Sequence, residues 1–366
     1  MAMIVEYNVT IMSSADSTAH RVKVYREAHG WSQADLAERA GISRSGISAI
    51  ESRRLSPSVE AALQLAAVLE CSVEELFGQR STPQAAWAWL PSHFPCRYWV
   101  AEVDGKLLAY PVELPTAATR LADGVAQDAR LESRRSDSAQ RTLVIATCDP
   151  AAQFFVELYE RQSPFRLLVL CRPSGESLKL LEQGLVHAAG MHLSRVGEDH
   201  GNAALLSGRT SRQDLQLLHV AQWEEGLAVD AGSAVKSLQQ AKKESLRWIG
   251  RLPGAGARRY QDEILENRRP PARIGRDHRA VAEAIRNQWA DAGICTRLAS
   301  EDANLRFLSI CEDQYDLCFS QRMAADPRLT ALVQTVRSAE YRELIAQLPG
   351  YRAADAGEVE EVPVSS

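Results

Sequence analysis

A small residue, a glycine four positions later and apolar side chains at set offsets on either side leave a chain few options, and the run from Ser32 to Glu51 has them all. It reads Ser-Gln-Ala-Asp-Leu-Ala-Glu-Arg-Ala-Gly-Ile-Ser-Arg-Ser-Gly-Ile-Ser-Ala-Ile-Glu. Ser32 can cap a first helix, with Asp35 in its opening turn near the positive helix end. Ala37 is small where a second helix must cross closely. Gly41 ends the first helix, because a left-handed backbone costs glycine little. Ser43 caps the second helix, and Ile47 and Ile50 return to the core at i, i+3 spacing. Val22 to His29 fits a preceding helix, and Val59 to Leu69 and Ser72 to Phe77 fit two following ones. Residues 20–78 therefore predict a compact all-α domain of five short helices.

Gln33, Ser43-Arg44-Ser45, Ile50-Glu51 and Glu74-Glu-Leu-Phe77 stand where the phage-repressor-type (Xre) helix-turn-helix family has them, and residues 20–78 resemble that family. The resemblance implies a DNA-binding domain whose second motif helix enters the major groove. On helical geometry Arg44, Ser45 and Ser48 face outward and are the candidates for base edges, with Arg44 suited to guanine; Ser43 opens the same helix. Gln33, at the start of the first motif helix, and Arg53 and Arg54, after the second, are expected at phosphates. Gly46 departs from the pattern. It should cost about 1 kcal/mol against alanine and is read as permitting close approach to DNA. The net charge is -5, with pI near 6.0, and within residues 20–78 acids slightly outnumber bases. A local patch, not the bulk field, must hold DNA. The expected partner is a double-stranded operator, gripped by a homodimer or higher homo-oligomer at half-sites about 34 Å apart.

With 366 residues the chain exceeds one small core. A loose leader is expected at 1–19, a β-containing connector and linker at 79–140, an α/β domain at 141–352 and a frayed acidic tail at 353–366. Met12 is a second candidate start. In the connector, Arg97 to Val103, Asp104-Gly105 and Lys106 to Val112 predict a hairpin with a type I′ turn, packed by Trp87, Trp89 and Trp99; Arg130 to Gln140 reads as linker. Apolar strand runs at Thr142–Ala146, Arg166–Cys171 and His187–Leu193 alternate with helices at Glu176–Gly184, Ala234–Glu244, Arg258–Asn267, His278–Trp289 and Arg328–Ala346. That alternation predicts α/β layers with mostly parallel sheets.

Several classes drop out. No apolar run reaches the roughly 18 residues of a membrane span, and the N-terminus lacks a secretory pattern. Seven widely spaced cysteines without a Cys-x-x-Cys pair argue against a disulfide framework or structural zinc. Reduced thiols in a cytoplasmic protein are expected, with no membrane partner, no cofactor and no metal. Phosphate-loop, dinucleotide and nucleophile-elbow motifs do not occur.

Three loops carry the remaining chemistry: Thr147-Cys148-Asp149-Pro150, Ser174-Gly175-Glu176-Ser177 and Pro253-Gly254-Ala255-Gly256-Ala257-Arg258. Each follows a strand and opens a helix. Such loops line the ligand crevice of α/β sheets, and helix N-termini favour anions. Together with Gly190-Met-His-Leu, Asp277-His278-Arg-Ala-Val, Ala290-Asp-Ala-Gly293, Tyr315-Asp-Leu and Leu348-Pro-Gly-Tyr351, they make residues 141–352 resemble a family of domains. These are the cytoplasmic periplasmic-binding-protein-like (type 2) domains fused to helix-turn-helix regulators and related to molybdate-binding proteins. The resemblance implies two lobes closing over a cleft by a hinge. Its candidate ligand residues are Thr147, Cys148, Asp149, Ser174, Gly175, Glu176, Ser177, Gly254, Gly256, Arg258, His278 and Tyr315. Ala255 and Ala257 stand where hydroxyls are expected, and Trp289 where a small residue is expected. A bare oxyanion such as molybdate is thereby disfavoured against a larger or less charged ligand. Arg258 can pair with a carboxylate or phosphate. Cys148 and Cys295 are placed beside the cleft, while His187 and His192 are read as structural.

The expected function is a one-component, sequence-specific transcriptional regulator, not an enzyme, whose C-terminal domain senses a small molecule, an anion being one class. The alternatives are a DNA-binding scaffold with a ligand-free dimerisation domain, a thiol- or metal-responsive regulator and, less favoured, a DNA-tethered enzyme.

Overall fold

Residues 21–77, 85–113, 120–131, 137–197, 201–207, 214–266 and 269–363 are described by a computed structural model. The expected leader, residues 132–136 of the expected linker and residues 364–366 of the expected tail lie outside the described residues. The chain divides into two units, Met1–Thr82 and Pro83–Ser366.

The first unit holds five helices among its described residues: α1 (Arg21–Ala28), α2 (Gln33–Ala40), α3 (Arg44–Glu51), α4 (Val59–Val68) and α5 (Val73–Phe77). The Ser32 hydroxyl accepts from the Asp35 N–H at 3.2 Å, and the Asp35 carboxylate accepts from the Ser32 N–H at 2.8 Å. This reciprocal capping box satisfies two orphan donors. Gly41 ends α2 at φ +65°, and Ser43 caps α3 by accepting from the Gly46 N–H at 3.1 Å. Val22, Leu36, Ile47, Ile50 and Leu65 form the core. A Cβ at Gly46 would stand 3.0 Å from Ile42 Cγ2 and 3.1 Å from the Ser43 hydroxyl. The glycine thus has a reason inside the domain, since it keeps room for the turn and for the cap of its own helix.

At the centre of this unit Arg26 donates to both Glu51 oxygens, at 2.6 and 3.1 Å, and to the Trp31 carbonyl at 2.7 Å. Gln33 adds a third donor to Glu51 at 2.8 Å. One buried carboxylate therefore ties α1, α2 and α3 together.

In the second unit a small sheet contains β1 (Ala86–Trp87), β2 (Cys96–Val103), β3 (Lys106–Pro111) and β4 (Gly124–Ala126), in the order β1-β3-β2-β4. Asp104 at φ +50° and Gly105 at φ +72° make the predicted hairpin turn. This sheet is no free spacer. Trp99, Val103, Leu108 and Tyr110 share a core with Leu168, Leu178 and Met191 of the larger sheet and its helices. The Tyr110 hydroxyl donates to the Leu185 carbonyl at 2.7 Å. A short helix, α6 (Asp137–Gln140), leads into the main sheet.

The first lobe starts with β5 (Thr142–Thr147), α7 (Ala152–Gln162), β6 (Arg166–Cys171), α8 (Ser174–Glu182), β7 (Ala188–Met191) and α9 (Gly201–Ser207). The long strand β8 (Leu215–Val229) then crosses into a second lobe of α10 (Leu238–Lys243), β9 (Trp248–Arg251), α11 (Gly256–Leu265), β10 (Arg273–Gly275), α12 (His278–Arg286), β11 (Ala292–Thr296) and α13 (Arg297–Asp302). The equally long β12 (Arg306–Ser320) crosses back to α14 (Pro327–Arg337), α15 (Ala339–Ala346), β13 (Tyr351–Arg352) and β14 (Val359–Glu361). The strand order is β10-β9-β11-β8-β12-β7-β5-β6, with β13 and β14 also on β8.

Pairs inside each lobe are parallel, but every pair made by β8 or β12 is antiparallel, so the sheet is mixed where a mostly parallel one is predicted. Neither long strand stands out in the sequence, because polar residues interrupt both where they cross between lobes. The span Arg328–Ala346 is two helices, parted at Ser338, whose hydroxyl accepts from the Tyr341 N–H at 3.1 Å. The expected frayed tail is built in: Val359, Glu360 and Glu361 pair with Leu218, Leu217 and Gln216, and Ala356 and Val362 are buried. Two apolar side chains and a free edge of β8 outweigh the acidic composition.

Removing one partner of a buried ion pair leaves the other uncompensated, typically at a cost of about 3–5 kcal/mol. Glu51→Ala is therefore expected to destabilise the first unit by about that much in urea denaturation, against under 0.5 kcal/mol or so for an exposed control such as Glu60→Ala.

Candidate functional site

Arg44 and Ser45 are exposed on the first turn of α3, and Ser48 lies half-buried one turn on. Arg53, at φ +59°, and Arg54 are exposed after the helix, and Arg54 donates to the Ser52 hydroxyl at 2.9 Å. Two other candidates have duties within the domain. The Ser43 hydroxyl is engaged as the α3 cap, and the Gln33 amide is engaged by Glu51.

In the second unit the strand ends of both lobes converge. Cys148 follows β5, Ser174 follows β6 and His192 follows β7; Arg251 ends β9, His278 opens α12 after β10, and Ser300 lies on α13 after β11. The lobes touch here. The Gly175 N–H donates to the Gly254 carbonyl at 3.0 Å, Arg279 donates to the Pro150 carbonyl at 2.7 Å, and Arg259 bonds the Leu193 carbonyl. Close approach explains the glycines. A Cβ at Gly256 would collide with the His192 carbonyl, and one at Gly175 would stand 3.1 Å from the Gly254 carbonyl oxygen. Gly254 itself sits at φ +82°.

At the centre lie Arg251, Glu225, His192, His278 and Asp313, all fully buried, with Cys148 nearly so. The three guanidinium nitrogens of Arg251, both carboxyl oxygens of Glu225, Nε2 of His278 and the hydroxyl of Ser300 have no hydrogen-bond partner within the protein. Burial, and next the Asp313 charge, push the Glu225 carboxyl well up, while Arg251 offsets part of this. Burial likewise holds both histidines below the usual range, so they are neutral imidazoles. His192 Nδ1 lies 3.2 Å from Asp313 and 3.6 Å from Glu225, and its Nε2 lies 3.3 Å from Cys148 Sγ. His278 Nδ1 accepts from the Thr296 N–H at 3.2 Å.

The remaining candidates separate into two groups. Ser174 accepts from the His192 N–H at 3.3 Å and so touches the buried centre. Thr147 and Tyr315 bond each other at 2.7 Å beside it, with the Tyr315 ring stacked on Trp223 at 4.6 Å. Asp149 accepts from the Tyr351 hydroxyl at 2.7 Å. Glu176 is exposed and pairs with Arg172 at 2.9 Å, and Ser177 donates to the Arg172 carbonyl at 3.2 Å. Arg258 pairs with Asp262 at 2.7 Å along its helix and donates to the Arg251 carbonyl at 3.1 Å, so it touches the centre only through backbone. The cation at the centre is Arg251 instead. Arg251, Glu225 and Asp313 escape a motif search. Their one sequence signal is a charge set inside an apolar strand, as in Trp248-Ile-Gly-Arg251.

Comparison with known proteins finds two families along the chain. Residues 22–76 match the family described as "Helix-turn-helix", and residues 156–337 match "PBP superfamily domain". An uncharacterized HTH-type transcriptional regulator of Methanocaldococcus jannaschii, MJ0272, is 36% identical over 58 residues, 16% of this chain and 88% of that protein. The HTH-type transcriptional regulator SinR of Bacillus subtilis is 38% identical over 61 residues, covering 16% of this chain and 55% of SinR. The uncharacterized protein YvgK of Bacillus subtilis is 26% identical over 192 residues, 50% of this chain and 62% of YvgK. The chain thus spans less than two thirds of YvgK and of SinR. A putative phosphate ABC transporter substrate-binding protein of Clostridium perfringens superposes with a TM-score of 0.46 at 12% identity, over 56% of this chain and 97% of that one. The chain belongs to the helix-turn-helix transcriptional regulators and carries a PBP superfamily domain behind its DNA-binding domain. No described helix is long and apolar enough to cross a membrane.

Burial pushes Asp149 up to about 6, and its hydrogen bonds from Tyr351 and Ala151 offset only part of the rise. A carboxyl with a raised folded pKa holds its proton more tightly than in the unfolded chain, so stability falls as pH rises from about 4 to about 6. Asp149→Asn is expected to flatten this slope for the second unit, as read by urea denaturation at the two ends of that window.

Proposed function

We propose that this regulator works as a single component. In this reading α3 lies in the major groove of an operator, with Arg44, Ser45 and Ser48 toward base edges and Gln33, Ser43, Arg53 and Arg54 toward the backbone. The second unit closes on a small molecule that bears an anionic group, and occupancy of the cleft changes the hold on DNA. Cleft binding acts on DNA binding only through a difference in ligand affinity between two conformations of the protein. Near-balanced charge in the first unit favours two copies on DNA, and the exposed Leu55, Val59 and Leu63 offer apolar surface for a homodimer contact.

One observation carries the ligand half of this reading. Arg251 is fully buried where the lobes meet, and no nitrogen of its guanidinium has a partner. A buried charge left this way costs several kcal/mol. A carboxylate or phosphate would answer it with paired, charge-assisted hydrogen bonds. The His278 Nε2–H and the Ser300 hydroxyl supply further donors. Ser174, Gly175, Gly254, Gly256, Thr147, Cys148, Asp149 and Tyr315 would then line the cleft, while Glu176, Ser177 and Arg258 support its rim. The hydroxyls missing at Ala255 and Ala257 are replaced, in this scheme, by a guanidinium.

Two measurements test the reading. Arg44→Ala is expected to weaken sequence-specific binding to DNA upstream of the gene by about 1–3 kcal/mol, roughly 5- to 150-fold, in fluorescence anisotropy. Unchanged discrimination would remove Arg44 from base readout. Thermal unfolding with inorganic phosphate and short carboxylic acids should find a stabilising anion, worth about 2.7 kcal/mol at 100 times its dissociation constant. Arg251→Met should abolish that shift while raising the melting temperature without ligand, since it removes an uncompensated charge. A shift that survives Arg251→Met would place the anion elsewhere.

A further inference from the structure

We infer that Cys148 is a covalent capture site for small conjugated carbonyl compounds, with His192 as its base and Asp313 orienting that base. The inference shares the cleft of the reading above, but its chemistry rests on the thiol and its two neighbours.

Proton positions decide the case. His192 Nδ1 hydrogen-bonds the Asp313 carboxylate at 3.2 Å, so this nitrogen carries the ring proton. Nε2 is then a lone pair, and it faces Cys148 Sγ at 3.3 Å. The thiol donates to it. A nucleophile, a base and an orienting carboxylate stand in series, which is the arrangement that activates thiols and hydroxyls. Asp313 is itself held by Arg259 at 2.9 Å and by the Tyr260 hydroxyl, so it is fixed in place.

The nearby His278 points the same way. Donor atoms of Cys148, His192 and His278 lie within 4.8 Å of one another, close enough for a metal ion. Yet the Thr296 N–H occupies the His278 Nδ1 lone pair, which leaves the proton on Nε2. As a neutral ring, His278 offers a donor here, and a metal needs a lone pair. The same cleft holds the unpartnered Arg251 guanidinium, fully buried. A donor and a cation beside a base-linked thiol suit a reaction in which an oxygen gains negative charge.

Conjugate addition is such a reaction. Cys148 Sγ bonds to the β-carbon of the α,β-unsaturated carbonyl compound as the thiol proton passes to His192 Nε2. The C=C electron pair shifts toward the carbonyl oxygen, giving an enolate that faces Arg251. The proton then returns from His192 to the α-carbon, so no atom is lost and no oxidant is needed. Access follows from the topology. Cys148 and His192 both sit on the first lobe and Asp313 on the crossing strand β12, while Arg251, His278 and Gly254 to Gly256 belong to the covering lobe. Parting the lobes uncovers the thiol with its base still attached.

The test is a timed pulse of N-ethylmaleimide, itself a conjugated carbonyl compound, on the full chain, with adducts mapped by mass at each cysteine. Cys295 and Cys318 are equally buried and hydrogen-bond to no histidine among the described residues, so they serve as internal controls. Cys148 should label at least about tenfold faster than either control. His192→Gln should slow Cys148 about tenfold or more and leave both controls unchanged. Equal rates at Cys148 and Cys295, or a Cys148 rate untouched by His192→Gln, would overturn the inference. If His192→Gln loosens the fold, Cys318 labelling will rise. Asp313→Asn, with Cys318 labelling unchanged, then asks the same question, and an unaltered Cys148 rate again overturns it. The anion-induced thermal shift reads the proposed sensor function separately, so either idea can fail alone.

Discussion

The antiparallel ladder between β8 and β12 is what the second unit depends on. Among the described strands only these two carry the sheet from one lobe to the other, and they do so over 15 residues each, roughly 50 Å of extended chain. Their register sets Cys311 opposite Glu225 and Asp313 opposite Trp223. Two carboxyl groups and a large aromatic ring are thereby delivered to the crossing point. Register shifts at Ser309/Cys311 and Tyr315/Asp316 bracket that point. Bulges bend a strand and loosen its pairing locally, which suits the lobe closure proposed above.

Buried charge is handled in opposite ways in the two units. Glu51 is matched by Arg26 and Gln33, so burial, which alone would raise its pKa, is outweighed and the carboxyl is held below its usual range. Such a group adds stability above the unfolded-state pKa and loses it as pH falls through the folded value. Arg251 and Glu225 are buried as deeply, but their charged ends close no hydrogen bond within the protein. A satisfied hub makes the helical domain a rigid reader. In the proposed reading, that unmet hydrogen-bonding capacity is what an anionic group would answer.

Much of the helical domain was legible because its signals are local. Ser32, Asp35, Gly41 and Ser43 act on neighbours within four residues, and each does in the structure what its position predicts. The Asp104-Gly105 hairpin is legible for the same reason. The cleft was legible only as a set of strand-to-helix loops. Thr147-Cys148-Asp149, Ser174-Gly175 and Gly254 to Gly256 announce themselves by turn chemistry, and they do meet at the lobe contact. Glu176 and Arg258 come from the same loops, yet the helical turn carries them outward to Arg172 and Asp262. His192 was passed over as structural, since spacing along a strand says which face a side chain takes and not what waits there.

Sequence by itself determined the class of the chain: a helix-turn-helix, then a two-lobed α/β domain with glycine-rich loops at its strand ends. The helix-turn-helix is written in caps, turns and periodicity over a few residues, whereas the two lobes were implied only by the family that the loops resemble. Only the tertiary structure decided which charges meet. Cys148, His192, Glu225, Arg251, His278 and Asp313 span 166 positions and come from two lobes and the ladder between them. Their chemistry depends on distances of about 3–4 Å, the range over which hydrogen bonds and close ion pairs act. No spacing along the chain encodes such distances.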